Sequence, residues 1–192
     1  YNINNELISQ FKLNMGGEYN VSNALVSIAV AKQLGVNNIC LLDGMSSFKG
    51  IKRRFETHII SEKIIYIDDY AHHPKEITVS IQAVKKMYPN KKITVLFQPH
   101  LYSRTNDFMN EFAVALSLCN HLILLDIYAA REQPINGVSS EVLAEKCNVN
   151  KIKLCSLNDV VKLLEGEEVE LLLTLGAGDI GTIVGDIKTS LL

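Results

Sequence analysis

The sequence predicts an α/β protein in which a mostly parallel sheet is covered by helices on both faces. From about residue 64 onward, short and almost purely apolar segments alternate with segments of helical periodicity, a pattern typical of parallel strands buried on both sides. The first fifty residues lack this alternation, and residues 46–50 interrupt the apolar pattern. We therefore expect two domains, residues 1–47 and 48–192.

Each predicted element follows from its local sequence. In the first domain we expect a strand over 6–13, a helix over 20–34 that ends at Gly35, and a second helix over 38–44. The second domain should begin with two strands, 55–60 and 63–68. The alternation then predicts helix 75–87, strand 93–97, helix 106–119, strand 122–126, helix 140–147, strand 152–154, helix 158–164, strand 171–175 and helix 179–191.

The composition excludes several classes of function. With 47% hydrophobic and 21% charged residues, the chain has the make-up of an ordinary globular protein. A net charge of −2 gives no electrostatic reason to bind nucleic acid or an anionic membrane. No apolar run reaches the roughly 18 residues of a membrane span, no secretory signal is recognisable, and the four cysteines lack metal-ligand spacing. We expect a cytoplasmic protein with reduced thiols.

The densest group of titratable side chains is the segment Asp68-Asp-Tyr-Ala-His-His-Pro74, which directly follows an apolar run. Pro74 suits the first position of a helix, where its missing N–H is not needed. In an open α/β sheet, ligands bind beyond the carboxyl ends of the strands. The segment is therefore a candidate site.

Two more polar segments follow the next two predicted strands. His100 and Arg104 come after strand 93–97, and residues 126–132 come after strand 122–126. Arginine is the preferred planar partner of carboxylates and phosphates. Loops are polar in any protein. Three such segments at successive strand ends nevertheless favour a functional site at this edge of the sheet over a coincidence of polar loops.

Residues 176–181 match the pattern G-x-G-x-x-G after a strand and before a helix. The match falls on the last strand, and no acidic partner for a ribose follows it, so a tight turn with free backbone N–H groups is the favoured interpretation. The chain carries no G-x-x-x-x-G-K-[ST] phosphate loop and no nucleophile elbow. A nicotinamide-dependent oxidoreductase and a binding module without catalysis remain alternatives.

Six motifs occur in a fixed order, and together they resemble the Mur ligases of peptidoglycan synthesis over nearly the whole chain. They are Gly17-x-Tyr-Asn-Val-x-Asn-Ala24, Phe48-x-Gly-Ile-Lys-Arg-Arg-Phe-Glu56, Asp68-Asp-Tyr-Ala-His-His-Pro74, Phe97-Gln-Pro-His-x-Tyr-Ser-Arg-Thr105, Gly137-Val-Ser-Ser140 and Gly176-Ala-Gly-Asp-Ile180. The third and fourth motifs favour the member that joins L-alanine to UDP-N-acetylmuramate. The member that recycles murein tripeptide is the alternative within the family.

The resemblance implies a fold and a reaction. Residues 1–47 would be the tail of a central α/β ATPase domain, and residues 48–192 would be the Rossmann-like carboxyl-terminal domain. The substrates would be ATP, UDP-N-acetylmuramate and L-alanine. ATP would convert the muramoyl carboxylate to an acyl phosphate, and the amine of L-alanine would then attack this group. The phosphate loop and the Mg²⁺ ligands would lie in the missing domains, so that the chain alone would be inactive.

The resemblance also implies roles for individual residues, with no metal ligand among them. Asn20 and Asn23 would lie at the adenine of ATP, Arg53 and Arg54 at its phosphates, and Asp69 at its ribose. The substrate pocket would be lined by Tyr70, His72, His100 and Arg104, of which the two histidines and Arg104 would be catalytic; His73 would only start a helix. Two departures from the family pattern weaken these assignments: Tyr19 replaces a histidine, and Leu101 replaces an arginine.

Overall fold

The chain separates into two units, Tyr1–Lys52 and Arg53–Leu192, in the computed structural model. The structure describes residues 2–3, 6–7 and 13–192. The division falls at residue 52, a few residues beyond the predicted boundary at residue 47. Within the described ranges, no helix combines the length and the apolar character needed to cross a membrane.

The first unit contains a short antiparallel pair of strands and two helices. These are β1 (Asn2–Ile3), β2 (Glu6–Leu7), α1 (Glu18–Gln33) and α2 (Asn38–Ser47). The predicted strand over 6–13 is found at β2, and its residues 8–12 lie outside the described residues. The helix α1 ends before Gly35, whose φ of 83° is the left-handed stop that glycine allows. The second helix continues through Gly44 because one glycine costs a helix only about 1 kcal/mol.

The second unit is built on a six-stranded sheet. The strands are β3 (Glu56–Ile60), β4 (Ile65–Asp69), β5 (Ile93–Phe97), β6 (His121–Leu125), β7 (Lys151–Cys155) and β8 (Leu171–Leu175). Their order in space is β3-β4-β8-β5-β6-β7. Every pair is parallel except β3 with β4. The last strand in the sequence therefore lies in the middle of the sheet, between β4 and β5.

Helices connect the parallel strands, as the alternation predicts. They are α3 (Pro74–Met87), α4 (Tyr102–Asp107), α5 (Met109–Leu116), α6 (Ser140–Lys146), α7 (Val160–Glu165) and α8 (Val184–Ser190), and 3₁₀ turns cover Leu157–Asp159 and Asp179–Thr182. The helix predicted over 106–119 was wrong in its bounds. It begins four residues earlier, at Tyr102, and breaks at Phe108, where φ is −118°.

Both faces of the sheet are covered, which confirms the predicted fold class. On one face Leu96 belongs to a buried cluster that includes Ile187 of α8. The next residue of the same strand, Phe97, points to the other face and lies 5.6 Å from the ring of Phe112 in α5. All five residues of each of β4, β5, β6 and β8 are buried. Each large apolar side chain buried there contributes about 1.5–3 kcal/mol, so the strand ends are held rigidly.

Candidate substrate site

The polar segments that follow β4, β5 and β6 lie at one edge of the sheet, beyond the carboxyl ends of the strands. The sequence suggested that the segments after β4 and β5 come from neighbouring strands, but β8 lies between them. Two glycines just after β8 make room. A Cβ on Gly176 would lie 2.9 Å from the backbone carbonyl oxygen of Gln98. A Cβ on Gly178 would lie 2.4 Å from the side-chain oxygen of Gln98. Side chains at these positions would push the loops apart.

The loop between β4 and α3 is fixed by the start of the helix. His73 is the N-cap of α3, and its imidazole accepts a hydrogen bond from the backbone N–H of Lys75. The carboxylate of Glu76 accepts the backbone N–H groups of His72 and His73 at 3.0 and 3.1 Å. Burial alone would raise the pKa of Glu76, but these two bonds and the neighbouring imidazole hold it below its usual value. The predicted helix-start role of His73 is confirmed.

The loop after β5 is strained and tied to the loop after β6. Leu101 has a φ of 74°, which is unfavourable for a side chain with a Cβ. Two backbone hydrogen bonds hold it there: the Leu101 N–H donates to the carbonyl of Tyr128, and the Tyr128 N–H donates to the carbonyl of Pro99, both at 2.9 Å. The ring of His100 is stacked on the ring of Tyr128, with 5.5 Å between centroids and an interplanar angle of 27°.

Four rings form a continuous row across this edge, which we call the ring row: Tyr70, His72, His100 and Tyr128. The centroid distances along the row are 5.3, 6.1 and 5.5 Å. Arg104 lies beside it, with its Nη1 atom 3.3 Å from Nδ1 of His100. The structure therefore brings together all four residues that the sequence placed in the substrate pocket, and Tyr70 remains 37% exposed.

The surroundings of His100 favour its neutral form. Its burial lowers the pKa of the imidazole, the guanidinium of Arg104 and the ring of His72 lower it further, and Glu132 opposes them. Glu132 in turn accepts hydrogen bonds from the hydroxyl and the backbone N–H of Ser103, at 2.5 and 2.9 Å, and these bonds lower the pKa of its carboxyl. An imidazole with a lowered pKa is uncharged near neutral pH.

Sequence reasoning did not assign Tyr128 and Glu132 to the site, although both belong to the polar segment after β6. A lone tyrosine or glutamate in a loop carries no local signal of its partner. Their roles depend on the bridge between residues 100 and 128 and on the hydrogen bonds to Ser103. These contacts appear only once β5 and β6 are paired.

The two arginines predicted at the ATP phosphates are in different environments. Arg53 donates from Nε to the buried carboxylate of Asp68 at 2.9 Å and from Nη2 to the carbonyl of Gly176 at 2.7 Å. Its side chain is 19% exposed. Arg54 is exposed, and its guanidinium carbon lies 5.9 Å from the ring centroid of Tyr70. Arg53 is thus held within its unit, whereas Arg54 points to solvent beside the ring row.

The remaining predicted ATP contacts are Asp69, Asn20 and Asn23. Asp69 is only 4% exposed and accepts hydrogen bonds from the hydroxyl of Ser80 and from the backbone N–H of Ala71. Asn20 is buried in α1, and its side chain donates to the carbonyl of Gly16 at 2.7 Å. Asn23, one turn further along α1, is exposed. The two asparagines belong to the first unit and Asp69 to the second.

Among the described residues, one group could hold a metal ion: Glu56, His58 and Asp68, whose ligand atoms lie within 4.8 Å of one another. The group does not fit Mg²⁺, which demands an octahedron of oxygens. A cation is also already present, because Arg53 donates from its backbone N–H to Glu56 and from its side chain to Asp68. The group of Glu56, His58 and Asp68 is therefore better explained as a partner of Arg53 than as a Mg²⁺ site.

The glycine-rich turn after β8 packs against the protein itself. The backbone N–H of Ile180, which the sequence suggested to be free, donates to the side-chain oxygen of Gln98 at 2.9 Å, and the amide nitrogen of Gln98 donates to Asp179. A Cβ on Gly181 would lie 2.6 Å from the guanidinium of Arg53. The glycines are thus required by side chains of the chain itself, which argues against a dinucleotide site at this turn.

Comparison with known proteins identifies the family. The family model described as "Mur ligase, glutamate ligase domain" matches residues 53–185. The chain belongs to this family. The match covers the whole sheet of the second unit and every residue of the ring row.

Several of the similar proteins are UDP-N-acetylmuramate–L-alanine ligases. Two UDP-N-acetylmuramate–L-alanine ligases, from Flavobacterium psychrophilum and Christiangramia forsetii, are 45% and 44% identical to this chain; each match covers 97% of the chain but 42% and 41% of the relative. The structure of the UDP-N-acetylmuramate–alanine ligase from Thermotoga maritima is 28% identical, with a TM-score of 0.76 over 94% of this chain and 39% of that one. The chain thus spans about two-fifths of the length of these relatives.

Proposed function

We propose that this Mur ligase chain is the carboxyl-terminal part of a bacterial cytoplasmic ligase that joins L-alanine to the carboxylate of UDP-N-acetylmuramate at the expense of ATP. The observation that carries the proposal is the ring row with Arg104 beside it, at the carboxyl edge of the sheet. A guanidinium can pair with the carboxylate of an amino acid. The names and identities of the two relatives support the same assignment.

In this proposal the muramoyl carboxylate attacks the γ-phosphate of ATP, the bond between the γ-phosphorus and the bridging oxygen breaks, and an acyl phosphate forms as ADP leaves. The amine of L-alanine then attacks the acyl carbon, and phosphate leaves. Tyr70, His72, His100 and Arg104 line the pocket in which the second step occurs. Fixed donors and cations at the positions where negative charge develops supply much of such catalysis.

ATP would be bound by other residues of the chain. Asn20 and Asn23 are proposed at the adenine, and Arg54 at the phosphates, since it is exposed whereas Arg53 is engaged with Asp68. We assign Arg53 to holding the loop that presents Arg54. Asp69 is proposed at the ribose, where it would have to share its carboxylate with Ser80. Mg²⁺ and the phosphate loop would come from the rest of a full-length ligase.

A chimera tests this function. Residues 1–192 would replace the matching part of the Flavobacterium psychrophilum ligase, and phosphate release would be measured with ATP, UDP-N-acetylmuramate and L-alanine. We expect turnover that requires all three substrates, and no turnover from the 192-residue chain alone. A chimera that melts cooperatively yet releases no alanine-dependent phosphate would refute the proposal, and so would turnover by the chain alone.

The same assay separates the alternatives. If the chimera used murein tripeptide in place of L-alanine, the chain would belong to a recycling ligase. A binding module without catalysis predicts instead that the isolated chain binds ATP at micromolar concentration in calorimetry. We expect the isolated chain to bind ATP far more weakly, because it lacks a phosphate loop.

A further inference from the structure

The two histidines of the ring row are bound through the same ring nitrogen but to partners of opposite kind. Nδ1 of His72 lies 3.0 Å from the backbone carbonyl oxygen of Tyr70. A carbonyl oxygen can only accept a hydrogen bond, so this nitrogen carries a proton. Nδ1 of His100 lies 3.3 Å from Nη1 of Arg104. A guanidinium can only donate, so this nitrogen carries a lone pair, and the proton of a neutral His100 is on Nε2.

We propose that His72 and His100 are held in opposite tautomers and therefore have complementary roles, with Nε2 of His72 accepting a proton and Nε2–H of His100 donating a hydrogen bond to an anionic oxygen. The tautomers follow from the geometry alone. The ligand that uses them rests on the proposed function: an amino acid supplies the ammonium group, and a carboxylate or acyl-phosphate group supplies the oxygen. The ring centroids are 6.1 Å apart, so one small substrate can contact both.

His72 is equipped to hold the proton that it accepts. The carboxylate of Glu76 lies 3.5 Å from Nδ1 of His72 and is fixed by the capping bonds at the start of α3. A carboxylate at this distance can form an ion pair with the imidazolium that results when Nε2 of His72 takes up a proton. Glu76 thus serves as a positioning residue for His72 in addition to capping the helix.

His100 is equipped to remain neutral. The groups that face it are Arg104 from α4, His72 from the loop before α3, and Tyr128 and Glu132 from the loop after β6. Arg104 occupies Nδ1, and the stacked ring of Tyr128 fixes the plane of the imidazole. Glu132 holds the start of α4 through Ser103. Arg104, Tyr128 and Glu132 are therefore positioning residues for the His100 donor.

The step that this arrangement performs is a proton transfer. An N–H bond of the substrate ammonium breaks, the proton passes to Nε2 of His72, and the electron pair stays on the substrate nitrogen, which becomes a nucleophile. His72 ends as an imidazolium beside Glu76. His100 keeps its proton throughout and only shares it with the negatively charged oxygen. The amine can then attack the activated carbonyl carbon of the second substrate.

Nitrogen NMR of the histidine rings in the ligand-free, ¹⁵N-labelled chain tests the proposal. We expect neutral His72 to be protonated at Nδ1 and neutral His100 at Nε2. The pKa of His100 should lie below the usual value of a histidine. In Arg104→Met, His100 should populate both tautomers, and the pKa of its imidazole should rise because the guanidinium is gone. The matched control is Arg131→Met, which removes an exposed arginine of the loop after β6 and should leave both rings unchanged.

Wild-type spectra decide the matter even if Arg104→Met fails to fold. The same tautomer in both rings, or Nδ1–H in neutral His100, would overturn the proposal. The substrate is tested separately by adding L-alanine. Shifts at Nε2 of His72 and His100, with none at the capping residue His73, would support an amino-acid ligand. Absence of shifts at saturating L-alanine would count against the proposed substrate, whereas the tautomers are measured without it.

Discussion

Arg53 and Arg54 are adjacent in sequence, and we predict that the same substitution has very different effects at the two positions. In Arg53→Met, the carboxylate of Asp68 keeps its hydrogen bond from Thr174 but loses the guanidinium that neutralises it. Asp68 is 0% exposed, so water cannot replace the lost partner. Removal of one partner from a buried ion pair costs about 3–5 kcal/mol. We therefore expect Arg53→Met to lower the free energy of unfolding by about 3–5 kcal/mol.

Arg54→Met is the matched control, because it removes the same group from an exposed neighbour. It should change the free energy of unfolding by less than about 0.5 kcal/mol. Urea denaturation of the 192-residue chain gives the free energy of unfolding of both variants. It can be followed by circular dichroism and by tyrosine fluorescence, since the chain has seven tyrosines and no tryptophan. A loss of 3–5 kcal/mol would lower the melting temperature by roughly 6–20 °C.

A double-mutant cycle isolates the ion pair itself. Asp68→Asn removes the charge that Arg53 neutralises, so Arg53→Met should cost less in that background. We expect a coupling of about 1–3 kcal/mol between the two substitutions. If Arg53→Met fell within about 1 kcal/mol of Arg54→Met, or if the two changes at Arg53 and Asp68 were additive, the reasoning from the buried pair would be wrong.

Four other substitutions are informative. The side chain of Glu167 is 4% exposed and is paired with Lys151 and Lys153, which lower its pKa to about 2. Stability from a lowered carboxyl pKa is present above the ordinary value and is lost as the pH falls through the folded one. The advantage of wild type over Glu167→Gln should therefore shrink between about pH 5 and pH 2 in acid denaturation, and it should not exceed about 1 kcal/mol because solvent screens the half-exposed lysines. Gly178→Ala should destabilise the chain and displace Tyr128, since the new Cβ would lie 2.8 Å from Cβ of Tyr128. Gly185→Ala is the control: its Cβ would meet nothing within 4 Å, and the change should stabilise α8 by about 0.5–1 kcal/mol. Equal urea midpoints for the two variants would contradict this prediction. Leu101→Gly should raise the urea midpoint, because it relieves backbone strain of about 1–3 kcal/mol at a φ of 74°, and an unchanged or lower midpoint would show that side-chain contacts outweigh the strain.

Much of the fold could be predicted because the strands are short and nearly all apolar. The bounds of β5 and β8 agree with the sequence pattern residue for residue, since each lies between polar residues or glycine. Helix bounds were less predictable where a tertiary contact intervenes. The segment from Asp179 begins as a 3₁₀ turn because Gln98, some eighty positions earlier, bonds to both Asp179 and Ile180.

The proximity of several candidate site residues was predictable, but the internal arrangement of the candidate site was not. Titratable side chains at strand ends predicted that His72, His100 and Arg104 would meet, and they do. The sequence could not separate Arg53 from Arg54, because neighbouring arginines have the same local signal and differ only in what the fold places beside them. Nor could it show that a third strand passes between the two histidine loops, since strand order depends on how the whole chain is threaded.

The position of β8 has a consequence for how the protein is made. The strand that bridges β4 and β5 is the last to be synthesised, so during translation these two strands each wait with an unpaired edge. Exposed strand edges invite pairing with other chains. The edges of β4 and β5 that face β8 therefore stay unpaired until residues 171–175 have left the ribosome.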